Sequence, residues 1–546
     1  MKNRKMTALL LSAGMLVSML AGCAMTGAPA APAAPAQQEA AAEVQEEVKE
    51  EAAEAVEAAA EAVEEAAEAV EEAAGEWEGE VDEINLLLLD VPGLGSNCGP
   101  IVEKMNEITE KACGVRIGEI RWAGFGDYAT SVSLAMASGE QTDIITIMPS
   151  APANFITLMA NEQLMDITEL MENEGKDALA MVQDYIAAYS KDGRIYGLPP
   201  YRNYGASAYL IMKKSTLEEL GLLEKAQNLT NWTEVEEILQ TVKENTNMSP
   251  IGSGIYVAGS LFGGDAFADA VSFDTLGDQY RLVYTDSDGN VSGLMDNADY
   301  RAMQERVKDW YDKGLVYKDL VTSEEHPDNL LKAGAIFSAV EISEMGVETA
   351  KNASLGFEVV CIDLAQQLID SKTLQNIGMA VPVTSQEPEA AVRWINELYT
   401  NPELCNLISW GIEGEDYVVE DGVARYPDGI DAGTVRYHEP DYMFGNYFYI
   451  LPWSGDTADF RERAEAYLKS APLSAFLGFT PDQSELTNTV AAINQVYQTY
   501  WKQIAYGVWD DSVWDSYKAD LEVAGFGDFL GEYQKQLNDW KASNGK

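Results

Sequence analysis

After Gly79, short apolar runs alternate with amphipathic segments along the chain. Ile84–Leu89 is a continuous apolar run, typical of a strand buried on both faces, and the segment 100–112 after the next turn has a helical period. The pattern continues with strands predicted at 115–122 and 143–148 and a helix between them at 128–137. Strands that alternate with helices predict a parallel, right-handed, doubly wound α/β sheet.

The first 22 residues have the pattern of a secretion signal. Three basic residues precede an apolar run over 8–21, which is too short for a stable membrane span. The run ends in Leu20-Ala21-Gly22-Cys23, which resembles the lipobox of bacterial lipoproteins, whereas a plain signal peptide is the alternative. We therefore predict a lipoprotein signal peptide over 1–22 and a mature chain anchored through acylated Cys23 to the outer face of the cytoplasmic membrane.

Residues 23–80 form an acidic tether rich in Ala, Pro and Glu. From Glu54 the chain repeats every seven residues, with Val56, Val63 and Val70 on one stripe. The repeat permits a weak coiled coil that dimerises the stalks, but Val and Ala seams bury little area and the Glu side chains repel one another. A solvated, partly helical spacer is the favoured interpretation.

Charge and residue counts exclude several classes of function. The chain carries 36 Lys and Arg against 90 Asp and Glu, a formal −54, and residues 81–546 alone carry −41. Such a charge repels phosphate backbones, so we predict no nucleic-acid partner. The chain has two His and no HExxH motif, and a glycine-rich turn at 93–99 reads GxGxxxG rather than the dinucleotide fingerprint, so neither a metal nor a cofactor is predicted.

Two smaller motifs have plain structural interpretations. The segment Asp286–Asn290 (DSDGN) suggests a calcium loop but lacks the downstream ligands of an EF-hand, so a tight β-turn is predicted. The four cysteines beyond Cys23 are predicted to be buried small hydrophobic residues without disulfides, at positions Cys98, Cys113, Cys361 and Cys405.

Several segments, taken in order, resemble one protein family. They are SGEQTDIITIM (138–148), DGRIYGLPPYRNYGASAYLIMKKSTLEELGL (192–222), NWTEVEEI (231–238), LLKAGAIFSAV (330–340), and NYFYILPW followed by SAPLSAFLGFTPD (446–482). Their order resembles the extracellular solute-binding proteins of ABC importers, in particular the large sugar-binding type, and the last segments resemble the C-terminal domain of LipO-type lipoproteins. Each segment alone resembles the family only weakly, whereas their order is specific. Together the segments span nearly all of 81–546.

The resemblance implies a periplasmic-binding-protein-like fold of two α/β lobes with a helical C-terminal segment and a ligand cleft between lobes that close by hinge motion. The lobes expected from it are 81–200 with 326–377 for the first, 207–321 with 382–440 for the second, and 441–546 as the C-terminal segment completing the second lobe. Crossings between lobes are expected near 201–206, 322–327 and 377–382.

A sugar cleft needs aromatic faces for the apolar CH surfaces of the ring and polar groups for its hydroxyls. Residues with this chemistry that the resemblance or the strand ends bring near the cleft are Trp122, Asp127, Tyr201, Arg202, Tyr204, Glu341, Trp410, Tyr447 and Trp453. The residues of the first crossing, 201–204, fit a packed hinge equally well.

These expectations combine into one function. The chain is predicted to be a non-enzymatic, lipid-anchored protein that binds a small solute, most favourably an oligosaccharide, for the permease subunits of an ABC importer. The alternatives are a lipid-anchored glycoside hydrolase, for which no spacing picks out a catalytic carboxylate pair, and a passive surface protein.

Overall fold

The computed structural model describes residues 77–252, 260–278, 280, 282–323 and 325–545. The predicted signal peptide, the lipidation site Cys23 and nearly all of the predicted tether lie outside the described residues. No helix in the described ranges is both long enough and apolar enough to cross a membrane.

The strands belong to two four-stranded sheets and to short antiparallel pairs. In chain order the described strands are β1 Asp82–Asp90, β2 Val115–Gly124, β3 Ile144–Ile147, β4 Ser190–Lys191, β5 Arg194–Ile195, β6 Ala206–Lys213, β7 Ser249–Ile251, β8 Ser260–Leu261, β9 Val271–Ser272, β10 Val283–Thr285, β11 Val291–Gly293, β12 Ile336–Glu344, β13 Val359–Gln366, β14 Gly378–Ala380, β15 Val418–Glu420 and β16 Val423–Arg425.

The helices cover the faces of both sheets. In chain order the described α-helices are α1 Gly99–Ala112, α2 Tyr128–Ser138, α3 Phe155–Ala160, α4 Thr168–Asn173, α5 Lys176–Val182, α6 Lys214–Glu219, α7 Leu223–Gln227, α8 Trp232–Asn245, α9 Ala298–Asp312, α10 Pro327–Lys332, α11 Val347–Leu355, α12 Ser371–Leu374, α13 Pro388–Thr400, α14 Pro402–Trp410, α15 Phe460–Ser470, α16 Thr487–Ala505, α17 Asp511–Val523 and α18 Phe526–Ser543. Short 3₁₀ helices lie at Gly95–Asn97, Ile186–Tyr189, Phe267–Asp269, Leu294–Asp296, Tyr447–Tyr449 and Ser484–Leu486.

The first sheet has the strand order β14-β3-β1-β2, in which β1 pairs in parallel with β2 and β3. Its three parallel strands and the helices α1 and α2 confirm the elements predicted from the apolar runs, within two residues at each end. The run Leu86–Leu89 is buried because β1 lies in the middle of the sheet, with helices on its faces. The short strand β14 is antiparallel to β3 and closes one edge.

The second sheet has the order β13-β6-β12-β7 and is mixed rather than parallel. Its central strand β6 is antiparallel to β12 and β13, whereas β12 is parallel to β7. Residues 208–212 of β6 are all buried, so this strand needs a neighbour on each side and helices on both faces. The doubly wound parallel sheet predicted from the sequence therefore describes the first lobe only.

Two of the expected lobe assignments are wrong. The stretch 326–377 was assigned to the first lobe, but it contains β12 and β13, which pair with β6 in the second sheet. The stretch 382–440 was assigned to the second lobe, but α13 and α14 bury their apolar faces, including Trp394 and Leu398, in the core of the first lobe. Consequently 322–323 and 325–327 lie within the second lobe and form no crossing.

The crossings run side by side in pairs. Tyr201 donates its backbone N–H to Gly445 O at 2.8 Å and accepts one from Tyr447 at 2.9 Å. In the same way Ile369 pairs in parallel with Leu473. The hinge is therefore built from 201–206, 366–378 and two stretches of the C-terminal segment, so that only part of 441–546 belongs to the second lobe.

Helices α16 to α18 pack on the second lobe. In α16, Ile493 and Ile504 are buried, as are Trp509 and Trp514 nearby, whereas Tyr497 and its aromatic neighbours are only half-buried. These helices complete the core around the β10–β11 hairpin.

The smaller predictions have mixed outcomes. The DSDGN segment is the turn of the β10–β11 hairpin, and Asp286 accepts hydrogen bonds from the backbone N–H groups of Asp288 and Asn290, which confirms the β-turn. All four described cysteines are free. Cys113 and Cys405 are buried as predicted, whereas Cys98 and Cys361 are only half-buried.

Candidate functional site

The carboxyl ends of β1 and β2 lie together at one edge of the first sheet, the edge at which open α/β sheets bind ligands. Asp90, the last residue of β1, accepts backbone hydrogen bonds from the glycine-rich turn, including those of Gly93 at 2.6 Å and Gly95 at 3.0 Å. The indole of Trp122 lies against Gly95, where an added Cβ would be 2.4 Å from the ring. Its Nε1 donates to Cys98 Sγ at 3.2 Å, so the ring is held in place.

The segment 437–457 leads from this edge to the hinge. Near its start, Glu439 is fully buried beside Asp90, and its backbone forms hydrogen bonds with Ser409. Burial, reinforced by the charge of Asp90, raises the pKa of Glu439 to about 9. This carboxyl group is therefore protonated at neutral pH and adds no negative charge to the edge.

An arginine of the first crossing joins this segment to the second lobe. Arg202 Nη1 lies 3.2 Å from Glu344 Oε1, at the carboxyl end of β12. The guanidinium also lies over the rings of Tyr204 and Tyr442, at 4.6 Å and 5.6 Å from their centroids. Arg202 therefore connects the hinge, the second lobe and the segment 437–457.

A second arginine holds the middle of the segment. Arg461 Nη2 lies 2.5 Å from Asp441 Oδ2, and Arg461 Nε donates to Ile450 O at 2.8 Å. Its guanidinium carbon lies 3.7 Å from the centroid of the Tyr447 ring. The two ion pairs, Arg202–Glu344 and Arg461–Asp441, form a layer of paired charges beside the hinge, and we call it the ion-pair layer.

Four rings form an aromatic group next to this layer. Trp453 and Trp410 are parallel within 5°, with centroids 5.2 Å apart, and His438 stacks on Trp410 at 4.3 Å. The hydroxyl of Tyr426 lies 2.7 Å from Nδ1 of His438, and burial lowers the pKa of this His. Trp410 is 2% exposed and Trp453 38% exposed, so the group presents one indole surface to solvent.

The comparisons with known proteins agree with this architecture. A profile of the family described as bacterial extracellular solute-binding protein matches residues 104–410, more than half of the chain. The chain belongs to this family. A second profile, of a domain of unknown function, matches residues 475–542 of the C-terminal segment.

Individual relatives of this solute-binding protein are distant. It is 24% identical over 452 residues to a carbohydrate ABC transporter substrate-binding protein of Streptococcus pneumoniae serotype 4, covering 81% of this chain and 87% of that protein. Its structure is similar to that of the N-glycan transport solute-binding protein NgtS of S. pneumoniae, with TM-score 0.67, 22% identity, and 84% and 98% coverage. It is also similar to an extracellular solute-binding protein of Bifidobacterium longum subsp. infantis, with TM-score 0.55, 13% identity, and 85% and 99% coverage. At these identities the structures establish the two-lobe fold.

Most site residues predicted for this solute-binding protein lie around the ion-pair layer. Trp410 and Trp453 stack on one another, and Tyr447 lies beneath Arg461. Tyr201 donates its hydroxyl to Glu465 at 2.7 Å, which places its ring in the hinge. At the first-lobe edge, Trp122 is half-buried and lies edge-on to Phe444 at 6.1 Å, while Asp127 is exposed at the start of α2 and its side chain does not cap that helix.

Two expectations are not met. Tyr204 is 4% exposed and donates its hydroxyl to Pro200 O at 2.7 Å, so it packs within the hinge and has no free face for a solute. Glu341 does not lie at a strand end, because β12 continues for three more residues to Glu344. Its carboxylate lies 2.5 Å from Lys351 Nζ, which is also 2.6 Å from Asp328, so it belongs to a structural ion triad.

Two members of this triad, Asp328 and Glu341, also belong to a group of possible metal ligands that the described residues bring together. His326, Asp328 and Glu341 offer ligand atoms within 4.8 Å of one another. The ammonium group of Lys351 already lies between the two carboxylates and contacts both. A divalent cation would have to displace it, so we assign no metal site here.

Sequence reasoning missed Glu344, Asp441, Arg461 and the ring of His438. The one local signal was the length of β12, since its apolar run ends at Val340 but the polar alternation after it continues the strand. The arginine pairs have no local signal, because each joins residues from different parts of the chain.

Proposed function

We propose that the protein captures a neutral oligosaccharide beside the ion-pair layer and delivers it to an ABC importer. Family membership makes it an extracellular solute-binding protein. The sugar class is supported by relatives. The S. pneumoniae relative is named a carbohydrate transporter protein, and NgtS has been crystallised with Man1GlcNAc and with Man5GlcNAc.

The single observation that carries the proposal is the exposed indole of Trp453 beside paired carboxylates and arginines. An indole face binds the CH surface of a sugar ring, whereas Asp441, Glu344 and their arginines offer acceptors and donors for hydroxyl groups. Because both arginines are already neutralised, and because the body carries −41, an anionic solute is disfavoured.

Anchoring and delivery complete the proposal. The lipobox-like segment ending in Cys23 supports a lipid anchor, and the acidic tether would extend the body from the membrane. The permease subunits of an ABC importer are the proposed partner, and closure of the lobes around solute is the signal that they would receive.

We expect no chemistry on the bound sugar. The family description names a binding protein, and Glu344 and Asp441 are each ion-paired with an arginine. A retaining or inverting glycosidase needs two carboxyl groups with separate acid and base roles across the scissile bond. The hydrolase alternative has no comparable support.

Calorimetric titration of the mature chain, produced without its leader, tests the proposal. The panel contains Man1GlcNAc, Man5GlcNAc, kestose and an unrelated peptide, and each mixture is assayed afterwards for new reducing ends. We expect at least one glycan to bind without cleavage. New reducing ends would instead support the hydrolase, and a chain that binds no glycan would refute the oligosaccharide proposal.

A further inference from the structure

A cavity of about 280 Å³ lies on the second lobe, and its lining includes no residue of the ion-pair layer or of the aromatic group. One wall is the segment 345–349, which follows β12 and includes the first turn of α11. The opposite wall is the turn 455–457 together with Phe460 and Arg463 of α15. The volume is below the roughly 300–1,000 Å³ of pockets for drug-sized ligands, so it fits one sugar unit and not a whole oligosaccharide.

Two glycines allow the walls to come this close. Gly346 has φ +92°, and a Cβ there would lie 2.9 Å from the ring of Phe460. Gly455 has φ +111°, and a Cβ there would lie 3.3 Å from Thr349. A side chain at either position would fill the narrow end of the cavity and strain the backbone.

The lining has the chemistry that a sugar ring needs. Phe460 and Met345 supply apolar surface, and the backbone of α11 begins at the cavity without a side-chain cap on its first turn. The carboxylate of Asp456 accepts no hydrogen bond within the part of the chain that the structure describes, and its Oδ1 faces Gly346, the N-cap of α11. Half-burial raises the pKa of Asp456, although Arg461 and Arg463 lie near enough to oppose the rise.

The turn that lines the cavity directly follows the exposed indole in the chain. The N–H of Asp456 donates to Trp453 O at 3.1 Å, so one tight turn carries both the indole and the acid. The stacking surface of Trp453 and the cavity-lining residue Asp456 are therefore close together in the chain and belong to the same turn.

We propose that this cavity is a subsite for one neutral sugar unit adjacent to the unit stacked on Trp453, with Asp456 accepting hydrogen bonds from its hydroxyl groups. The inference rests on the proposed oligosaccharide function and assigns the cavity a part in it. It predicts that selectivity for the second sugar depends on Asp456, whereas the stacked unit is selected mainly by shape.

Two variants and one control test the subsite in the mature chain. Asp456→Asn removes the charged acceptor, and Thr349→Phe fills the cavity from α11 without changing a charge. Asp459→Asn is the control, because Asp459 is a second carboxylate near Arg463, at 3.3 Å, but does not line the cavity. Titrations with Man1GlcNAc and Man5GlcNAc are accompanied by thermal melts.

We expect Asp456→Asn and Thr349→Phe each to weaken glycan binding by about tenfold, and Asp459→Asn to change it by less than about twofold. If the wild-type chain binds a glycan and either cavity variant binds it equally well, the subsite is refuted while the proposed function stands. Equal weakening by Asp456→Asn and Asp459→Asn also refutes it, because the effect is then one of charge alone. A wild-type chain that binds neither glycan overturns the proposed function itself.

Discussion

Replacing Trp453 by Ala is the most direct test of the aromatic surface. A tryptophan side chain offers about 250 Å², and 38% of it is exposed, which leaves about 95 Å² for a solute to cover. At about 25 cal/mol per Å², covering half of this area contributes about 1.2 kcal/mol and covering all of it about 2.4 kcal/mol. Losing that surface should therefore weaken binding by about 7-fold to 50-fold.

The same substitution also removes packing on Trp410 and Tyr426, so its effect on stability must be separated from its effect on binding. Calorimetric titration with the best glycan of the panel gives the affinity, and a thermal melt gives the loss of stability. Trp540→Ala is the matched control. Trp540 lies on α18, among the outer helices of the second lobe, and is half-buried against Phe479. We expect the control to lower the melting temperature without changing affinity. An affinity of Trp453→Ala within twofold of wild type would show that the indole does not contact the solute.

Three further predictions follow from single residues. Glu341→Gln should lower the free energy of unfolding by about 1 to 3 kcal/mol, because it weakens the ion triad centred on Lys351. It should leave glycan affinity unchanged, and a titration that shows lost affinity would indicate that Glu341 contacts the solute. The folded-state pKa of Glu439, about 9, lies above its ordinary value of 4.5, so the folded chain binds the extra proton and the wild type should lose stability as pH rises from about 5 to 9. Glu439→Gln cannot ionise, so its melting temperature should depend less on pH over that range, and parallel slopes for the two proteins would contradict the assignment. Cys23→Ala should abolish labelling by radioactive fatty acid in cells, and unchanged labelling would disprove the anchor.

The elements of the first lobe were predictable because their signals are local. Continuous apolar runs such as Ile84–Leu89 identify buried parallel strands, and turns rich in Gly and Pro separate them from helices. The assignment of strands to sheets was not predictable in this way. The buried run of β12 fits either sheet equally well, and only its pairing with β6 decides the matter.

Candidate site residues can be chosen from the sequence by residue type, but the side chains that each of them contacts cannot. The sequence predicts Trp410 and Trp453 near the cleft, but that they stack on each other, and which of the two is buried, depends on tertiary packing. Tyr204 illustrates the opposite case, because its neighbour Arg202 is in the ion-pair layer while its own hydroxyl is used by Pro200. Arg461 and Asp441 come together only when α15 is docked, so no spacing in the sequence indicates their pair.

Helix α15 links the candidate site to the hinge. At its first turn Arg461 holds Asp441, and at its last turns Glu465 accepts from Tyr201 while the backbone oxygen of Tyr467 accepts from Gln366, at 2.7 Å and 3.1 Å. The helix thus contacts the first crossing and the end of β13 at once. Because a helix of eleven residues moves as a rigid rod, a rotation at either crossing must displace its first turn. A solute that engages Asp441 or Arg461 therefore acts on the hinge directly, and we expect the affinity of the site and the closure of the lobes to change together when α15 is altered.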